Sequence, residues 1–276
     1  MPVSSASGPP DLIDDLDVYF DAAPRPDSDA VPVGPFTLFV SRTPWSYYAR
    51  PTLGQRDPIT DAHLDALALA CKERGVGLSI EWVDEVHPEL AEVAATHGLE
   101  VSSHALMSAA AAGVAAPCVE GVTLRIVDAG DPALAAGRAV ADVAFTVGGT
   151  MSGPEGATER DMVLAGLAPD MVAHLRDRSE RGLTITAVAE SPTDGVVAVG
   201  SYQPLEGLAE VIGVATLPST RRRGLAGALT ARLAQHALGA GVRTVLLSAQ
   251  TEAVAKVYAR VGFRRVGTAH AAEPAQ

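Results

Sequence analysis

The stretch from Leu208 to Leu238 constrains the fold of this chain more than any other. Its first part, Ala209-Glu210-Val211-Ile212-Gly213-Val214-Ala215-Thr216-Leu217, is β-branched and apolar and is closed by Pro218, which reads as a strand. The turn Arg221-Arg222-Arg223-Gly224-Leu225-Ala226-Gly227 follows. Leu225, Leu229 and Leu233 then recur at every fourth position, with Ala226 and Ala237 alongside, as the buried stripe of a helix. A strand that feeds a glycine turn and then a helix leaves backbone N–H groups free at the helix start. Such a site binds anions, phosphates above all. The stretch predicts a pyrophosphate cradle.

The order of elements around the cradle sets the fold class. From Gly121 the patterns give a strand to Val127, a helix from Pro132 to about Phe145, and a second helix over roughly Glu159–Arg181. Strands follow at Leu183–Ala189, Val196–Tyr202 and from Leu208, then a strand at Val242–Ser248, a helix at Glu252–Arg260 and a strand at Phe263–Ala269. That order belongs to an α+β, or mixed α/β, domain with an antiparallel meander at its centre. Between the first two helices, Gly148–Gly156 is too glycine-rich to be regular and reads as a mobile loop.

Upstream, a frayed Met1–Pro10 precedes a short acidic helix at Asp11–Ala22, and Pro24, Pro26 and Pro32 predict an extended connection. A strand at Phe36–Val40 and a helix at about Thr60–Arg74, capped by Thr60 or Asp61, come next. They are followed by a strand at Leu78–Val83, a helix from Pro88 to about His97 and a weaker strand at Val101–His104. The Ala-rich, Gly- and Pro-containing Ala109–Pro117 marks a junction, giving domains at 1–118 and 119–276.

A formal net charge of −12 argues against general affinity for nucleic acid or an anionic membrane. Cys71 and Cys118, the two cysteines of the chain, suit reduced thiols better than a disulfide framework. The start of the chain shows no basic-then-apolar leader, and Leu106–Val119 is too short to span a bilayer, so a cytoplasmic protein is expected. The seven histidines have no ligand spacing, and no metal is expected. No nucleophile elbow and no Gly-x-Gly-x-x-Gly after a strand is present.

Alone, Arg221-x-x-Gly224-x-Ala226 is a short pattern. One strand and one helix downstream stands Tyr258-Ala259-Arg260-Val261-Gly262-Phe263, and the pair in that order resembles the GNAT superfamily of N-acetyltransferases. The resemblance runs from about Val122 to Ala269 and implies a GNAT acyltransferase fold, a mostly antiparallel mixed sheet flanked by helices. It also implies acetyl-CoA as cosubstrate. Pro218-Ser219-Thr220-Arg221 fits the family's approach to the turn, and Val214, Ala215 and Thr216 fit the strand end that pairs with the pantetheine arm. The amides of Arg222, Arg223, Gly224, Leu225, Ala226 and Gly227 would face the pyrophosphate, with Arg221 opening the motif. Tyr258 matches the tyrosine that protonates the CoA sulfur, and Glu210 the strand glutamate that in some members takes the amine proton. Thr251 stands where many members have an asparagine, a departure that puts one CoA contact in doubt.

Each residue also has a plainer reading. Tyr258 fits a packed aromatic, Gly262 a helix-ending glycine, Glu210 a solvent-side carboxylate on an alternating strand, and at least one of the three arginines a solvated surface charge. The first half, with Trp45, Tyr47, Tyr48, Arg50, Pro51 and Glu81-Trp82-Val83, resembles a smaller, partial GNAT-like region that precedes the catalytic domain in some bacterial members. It lacks the arginine–glycine motif, so no second CoA site is expected. Trp82 reads as core, while Trp45 and Tyr47 read either as core or as the lining of an acceptor cleft.

The function implied is transfer of an acetyl group from acetyl-CoA to a primary amine of a small molecule or peptide, by direct attack in a ternary complex. The alternative is a non-catalytic CoA-binding or interaction module with the same fold. A DNA-binding helix-turn-helix at the arginine turn is disfavoured by the flanking strands and the acidic balance.

Overall fold

A computed structural model describes residues 10–110 and 113–275, so Met1–Pro9, for which fraying is expected, lies outside the described residues. In chain order the elements are α1 (Pro10–Ala22), β1 (Ser28–Val33), β2 (Phe36–Ser41), β3 (Ala49–Pro51), α2 (Asp61–Arg74), β4 (Ile80–Val83), α3 (Leu90–Thr96) and β5 (Leu99–Ala109). They continue with β6 (Thr123–Val127), α4 (Ala133–Thr146), α5 (Ala157–Ala165), α6 (Pro169–Glu180), β7 (Ile185–Ser191), β8 (Gly195–Leu205) and β9 (Leu208–Thr216). Last come α7 (Leu225–Gly239), β10 (Thr244–Ala249), α8 (Glu252–Ala259) and β11 (Arg264–Pro274). The chain forms two compact units, Met1–Leu106 with Arg265–Gln276, and Met107–Arg264. The closing strand is therefore built into the N-terminal unit, although a cut near residue 118 would leave it with the C-terminal half.

In the N-terminal unit the strands run in the order β1-β2-β3-β4-β11-β5. β4 pairs antiparallel with β11 from Val83↔Ala269 to Ile80↔Ala272. Phe36, Leu38, Leu64, Leu67, Ile80, Trp82 and Leu90 fill the core, so Trp82 is core as its pattern predicts. Several strands differ from expectation: β3 at Ala49–Pro51 is not foreseen, and β11 runs on to Pro274 instead of ending at Ala269. β1 occupies the region for which three prolines predict an unpaired connection; it lies at the sheet edge, where Pro32 withholds no ladder N–H that a central strand would need. β5 extends over Leu99–Ala109, well beyond Val101–His104.

In the C-terminal unit the order is β6-β7-β8-β9-β10. Pairing is antiparallel from β6 to β9 and parallel between β9 and β10. Helix α7 buries Leu225, Leu229 and Leu233 together with Ala228, Ala231, Ala234 and Ala237. Burying each of the three leucines is worth about 1.5–3 kcal/mol. On the other face, α4 comes close to the sheet through Gly137, where a Cβ would stand 2.8 Å from Val199 Cγ2. The single helix expected over Glu159–Arg181 is two, because Gly166 ends α5 and Pro169 starts α6 in the first turn, where its missing N–H costs nothing. Cys71 is buried and Cys118 is exposed, both as free thiols. Among the described residues, no helix is long and apolar enough to cross a membrane.

Candidate active site

The site begins where two parallel strands separate. The paired registers of β10 with β9 run only from Thr244↔Leu208 to Leu246↔Glu210, so among the described residues the edge of β9 from Val211 to Thr216 has no strand partner on that side. On its other side the ladder with β8 slips between Val199↔Ala215 and Ser201↔Ile212, which puts Gly213 and Val214 opposite Gly200 alone. This is a β-bulge, and Gly213, at φ 61°, takes the left-handed conformation that it requires. An edge with free N–H and C=O groups can take up an extended ligand arm by main-chain pairing. Val214 is half-buried, whereas Ala215 and Thr216 are buried. The Thr216 hydroxyl is buried and has no hydrogen-bond partner among the described residues. The bulge leaves no signature in the sequence beyond one glycine in an apolar run.

Past β9 the chain makes a 3-10 turn at Pro218–Thr220, pinned by Thr220 N–H and Oγ1 donating to the Leu217 carbonyl at 2.9 and 3.0 Å. Arg222 and Gly224 then adopt positive φ, 66° and 85°, and redirect the backbone into α7. Gly224 is the N-cap and supplies no side chain to the helix start, and the first turn of α7 contains no acidic residue. Among the described residues, the N–H groups of residues 222–227 have no partner in the protein. A Cβ at Gly227 would lie 3.4 Å from Val261 Cγ1, in van der Waals contact. Arg222 and Arg223 are exposed, and Arg223 Nη2 reaches the Glu120 carbonyl at 3.4 Å. The result is a run of free amides at a positive helix end beside cationic side chains, the donor set a pyrophosphate requires. The residues fit an acetyl-CoA cosubstrate.

Arg221, the first residue of the motif, is placed differently from its neighbours. Its guanidinium turns inward, with Nε donating to the Thr216 carbonyl (3.1 Å), Nη1 to those of Val147 (3.0 Å) and Met151 (2.6 Å), and Nη2 to that of Ala144 (2.6 Å). Burial lowers its pKa, partly countered by the nearby Glu155 carboxylate. The glycine-rich segment expected to be a mobile loop is thus held to the turn. No spacing rule links residue 221 to carbonyls about seventy positions upstream, so the sequence gives no sign of this.

The expected acid and base lie on elements of the same unit. Tyr258, on α8, is 8% exposed and packs against Phe263 with ring centroids 6.3 Å apart. Its hydroxyl has no hydrogen bond among the described residues, and burial pushes its pKa up to about 12. It therefore stays protonated throughout the neutral range. Glu210 is half-buried on β9, opposite Gln203. Tyr202, the neighbour of Gln203, turns to α7, where its hydroxyl meets His236 Nδ1 at 2.9 Å, so alternation along β8 and β9 directs Glu210 to the opposite, α4 face. Thr251 is the N-cap of α8, accepting the Val254 N–H at 3.3 Å, and so has a structural task of its own. Trp45, in the N-terminal unit, is exposed.

Residues 159–263 match the acetyltransferase (GNAT) family. The match spans the C-terminal unit from within α5 to just past α8. Members of the family are typically acetyl-CoA-dependent N-acetyltransferases. No curated protein matches the chain in sequence. Among solved structures, a GCN5-related N-acetyltransferase from Kribbella flavida is similar, with a TM-score of 0.70 at 22% identity over 96% of each chain. A functionally unknown conserved protein from Staphylococcus epidermidis is similar with a TM-score of 0.57 at 14% identity, over 89% of this chain and 93% of that one. A tandem GNAT protein from the clavulanic acid biosynthesis pathway gives 0.54 at 18% identity, over 87% of this chain and 79% of that one. At these identities the structural matches show the fold. They extend the GNAT architecture over nearly the whole chain, the N-terminal region included.

Proposed function

We propose that the chain is an N-acetyltransferase that moves an acetyl group from acetyl-CoA to a primary amine by direct attack within a ternary complex. The open start of α7 carries the reading: the six consecutive amides of residues 222–227, without a protein partner among the described residues and beside the exposed Arg222 and Arg223, suit a pyrophosphate. The free edge of β9 suits the pantetheine arm, with Val214, Ala215 and Thr216 along it and the Thr216 hydroxyl available to a polar atom of the ligand.

In the transfer, a C–N bond forms at the thioester carbon and the C–S bond breaks. Glu210 takes the proton that the attacking nitrogen sheds, directly or through a water. Tyr258 gives its proton to the departing sulfur and recovers one from solvent. Burial keeps the hydroxyl protonated at neutral pH, so a proton is present beside the departing sulfur. Holding thioester and amine in line contributes much of the rate.

The test is release of CoA thiol from acetyl-CoA over a panel of tyramine, spermidine, glucosamine and a lysine-containing peptide. Release above the amine-free background with at least one amine, lost in Tyr258→Phe, is expected. Tight acetyl-CoA binding with no release on any amine would favour a non-catalytic CoA-binding module instead.

A further inference from the structure

The three arginines of the turn differ in kind. Arg222 and Arg223 face solvent, while four hydrogen bonds from Arg221 go to carbonyls on three separate pieces of chain: the end of β9 (Thr216), the last turn and C-cap of α4 (Ala144, Val147) and the following segment (Met151). A guanidinium has five N–H donors, so little of the fork is left for a phosphate. The carbonyls at the end of α4 carry the negative end of the helix dipole, and although that of Ala144 also accepts the Val147 N–H at 3.3 Å, a half-buried cation is well matched to them.

Main-chain bonds continue the same seam. Gly153 N–H donates to the Pro218 carbonyl at 3.4 Å, and Ser219 N–H donates to the Glu155 carbonyl at 3.0 Å. A Cβ at Gly156 would stand 2.9 Å from Ser219 Oγ, so the two segments approach as closely as glycine permits. Packing does little to hold the segment itself. Phe145 and Met151 are 62% and 65% exposed, and a Cβ at Gly148 or Gly149 would touch nothing within 4 Å. Hydrogen bonds from the turn are what fix it.

We propose that Arg221 is a positioning residue that latches residues 147–156 to the cofactor turn and so sets the wall of the acceptor site. The inference rests on the reading of the turn as the acetyl-CoA site, and of the face bearing α4 and Glu210 as the acceptor side. It separates two tasks within one motif. The backbone from Arg222 to Gly227 holds the cofactor, and the side chain of Arg221 holds the segment that meets the amine.

The decisive experiment is hydrogen exchange by mass spectrometry on the full chain without ligand, for wild type, Arg221→Met and Arg221→Lys, alongside acetyl-CoA affinity. In Arg221→Met, amides of 147–156 should exchange at least ~10-fold faster while β7 and β8 stay protected, with Arg221→Lys between the two. The Kd for acetyl-CoA should stay within ~3-fold, and with the best amine of the panel the amine KM should rise ~10-fold while the acetyl-CoA KM holds. Unchanged exchange in 147–156 with acetyl-CoA affinity at least ~10-fold weaker would make Arg221 a phosphate ligand and overturn the latch. If Arg221→Met loosens the whole of 107–264, Arg221→Lys decides: selective loosening of 147–156 supports the latch, and uniform loosening overturns it. Failure of the wild type to bind acetyl-CoA would overturn the acetyltransferase reading instead, leaving the ligand-free exchange comparison intact.

Discussion

The two units are both sheets covered by helices, and they differ in how their helices begin. In the N-terminal unit, α2 carries Asp61 in its first turn and α3 carries Glu92. At the start of α2 the ring of His63 also folds back to accept the Thr60 N–H at 3.1 Å. Acidic first turns complement the helix dipole and repel anions. The C-terminal unit closes two of its helices in a similar way: Glu159 accepts the Gly156 N–H at 2.7 Å ahead of α5, and Thr251 caps α8. Helix α7 is left open, with a glycine at its N-cap, no acid in its first turn and three arginines before it. An anion site is made by leaving a helix start open as much as by the residues added to it.

The units also treat internal charge differently. Arg50 of the N-terminal unit is 1% exposed and pairs with Asp17, while burial raises the carboxyl pKa of Glu81 to about 7 and lowers the imidazole pKa of His87. In the C-terminal unit the inward guanidinium of Arg221 is satisfied by neutral carbonyls. The difference is one of partner, since the C-terminal unit buries Arg160 and Arg178 as well.

Closing the open helix should break this contrast with the largest effect. Ala226→Asp puts a carboxylate among the free amides; acetyl-CoA affinity should fall at least ~100-fold, about 2.7 kcal/mol. The fold should be unharmed or gain a few tenths of a kcal/mol, because an acid in the first turn suits the helix dipole. Calorimetry and thermal melting check the two halves of that statement, and a joint loss of binding and fold would count against it. Tyr258→Phe should lower kcat by ~100-fold with acetyl-CoA Kd unchanged. Because the Tyr258 hydroxyl stays protonated up to a pKa of about 12, the wild-type kcat profile should show no descending limb from this group at pH 8–10. Glu210→Gln should lower activity ~10-fold, most on the acid side, where the amine is protonated; equal loss across pH would remove Glu210 from the mechanism.

The smallest expected effect lies in the N-terminal unit. The folded pKa of Glu81 is above its ordinary value of 4.5, so the folded chain holds a proton that the unfolded chain has released between pH 4.5 and about 7. Stability from this group is complete below pH 4.5, falls as pH rises through that window and stays low above it. Part of the Glu81 surface remains in water, which trims the effect to about 1–2 kcal/mol. Glu81→Gln should flatten that slope in urea melts at pH 5 and pH 8, with no change in acetyl-CoA affinity.

What was legible in the sequence followed periodicity and local backbone needs. The leucine stripe of α7, the strand before it and the glycines of the turn each follow from spacing or φ, and all stand where the sequence predicts. What was illegible depended on tertiary partners. β1 tolerates Pro32 because of its edge position, which only the finished sheet determines. The bulge at Gly213 depends on the register of β8. Placement of β11 with the N-terminal unit and the inward turn of Arg221 both join residues far apart in the chain. A strand's pattern names its faces and leaves its neighbours open, and an arginine in a turn can serve carbonyls as readily as phosphates.

Titration calorimetry of acetyl-CoA into the full chain, with Ala226→Asp as control, tests the central claim most directly. Saturable binding of a single acetyl-CoA per chain is predicted, competed by CoA and abolished in the variant. Binding that survives Ala226→Asp unchanged, or no binding to the wild type, would contradict it.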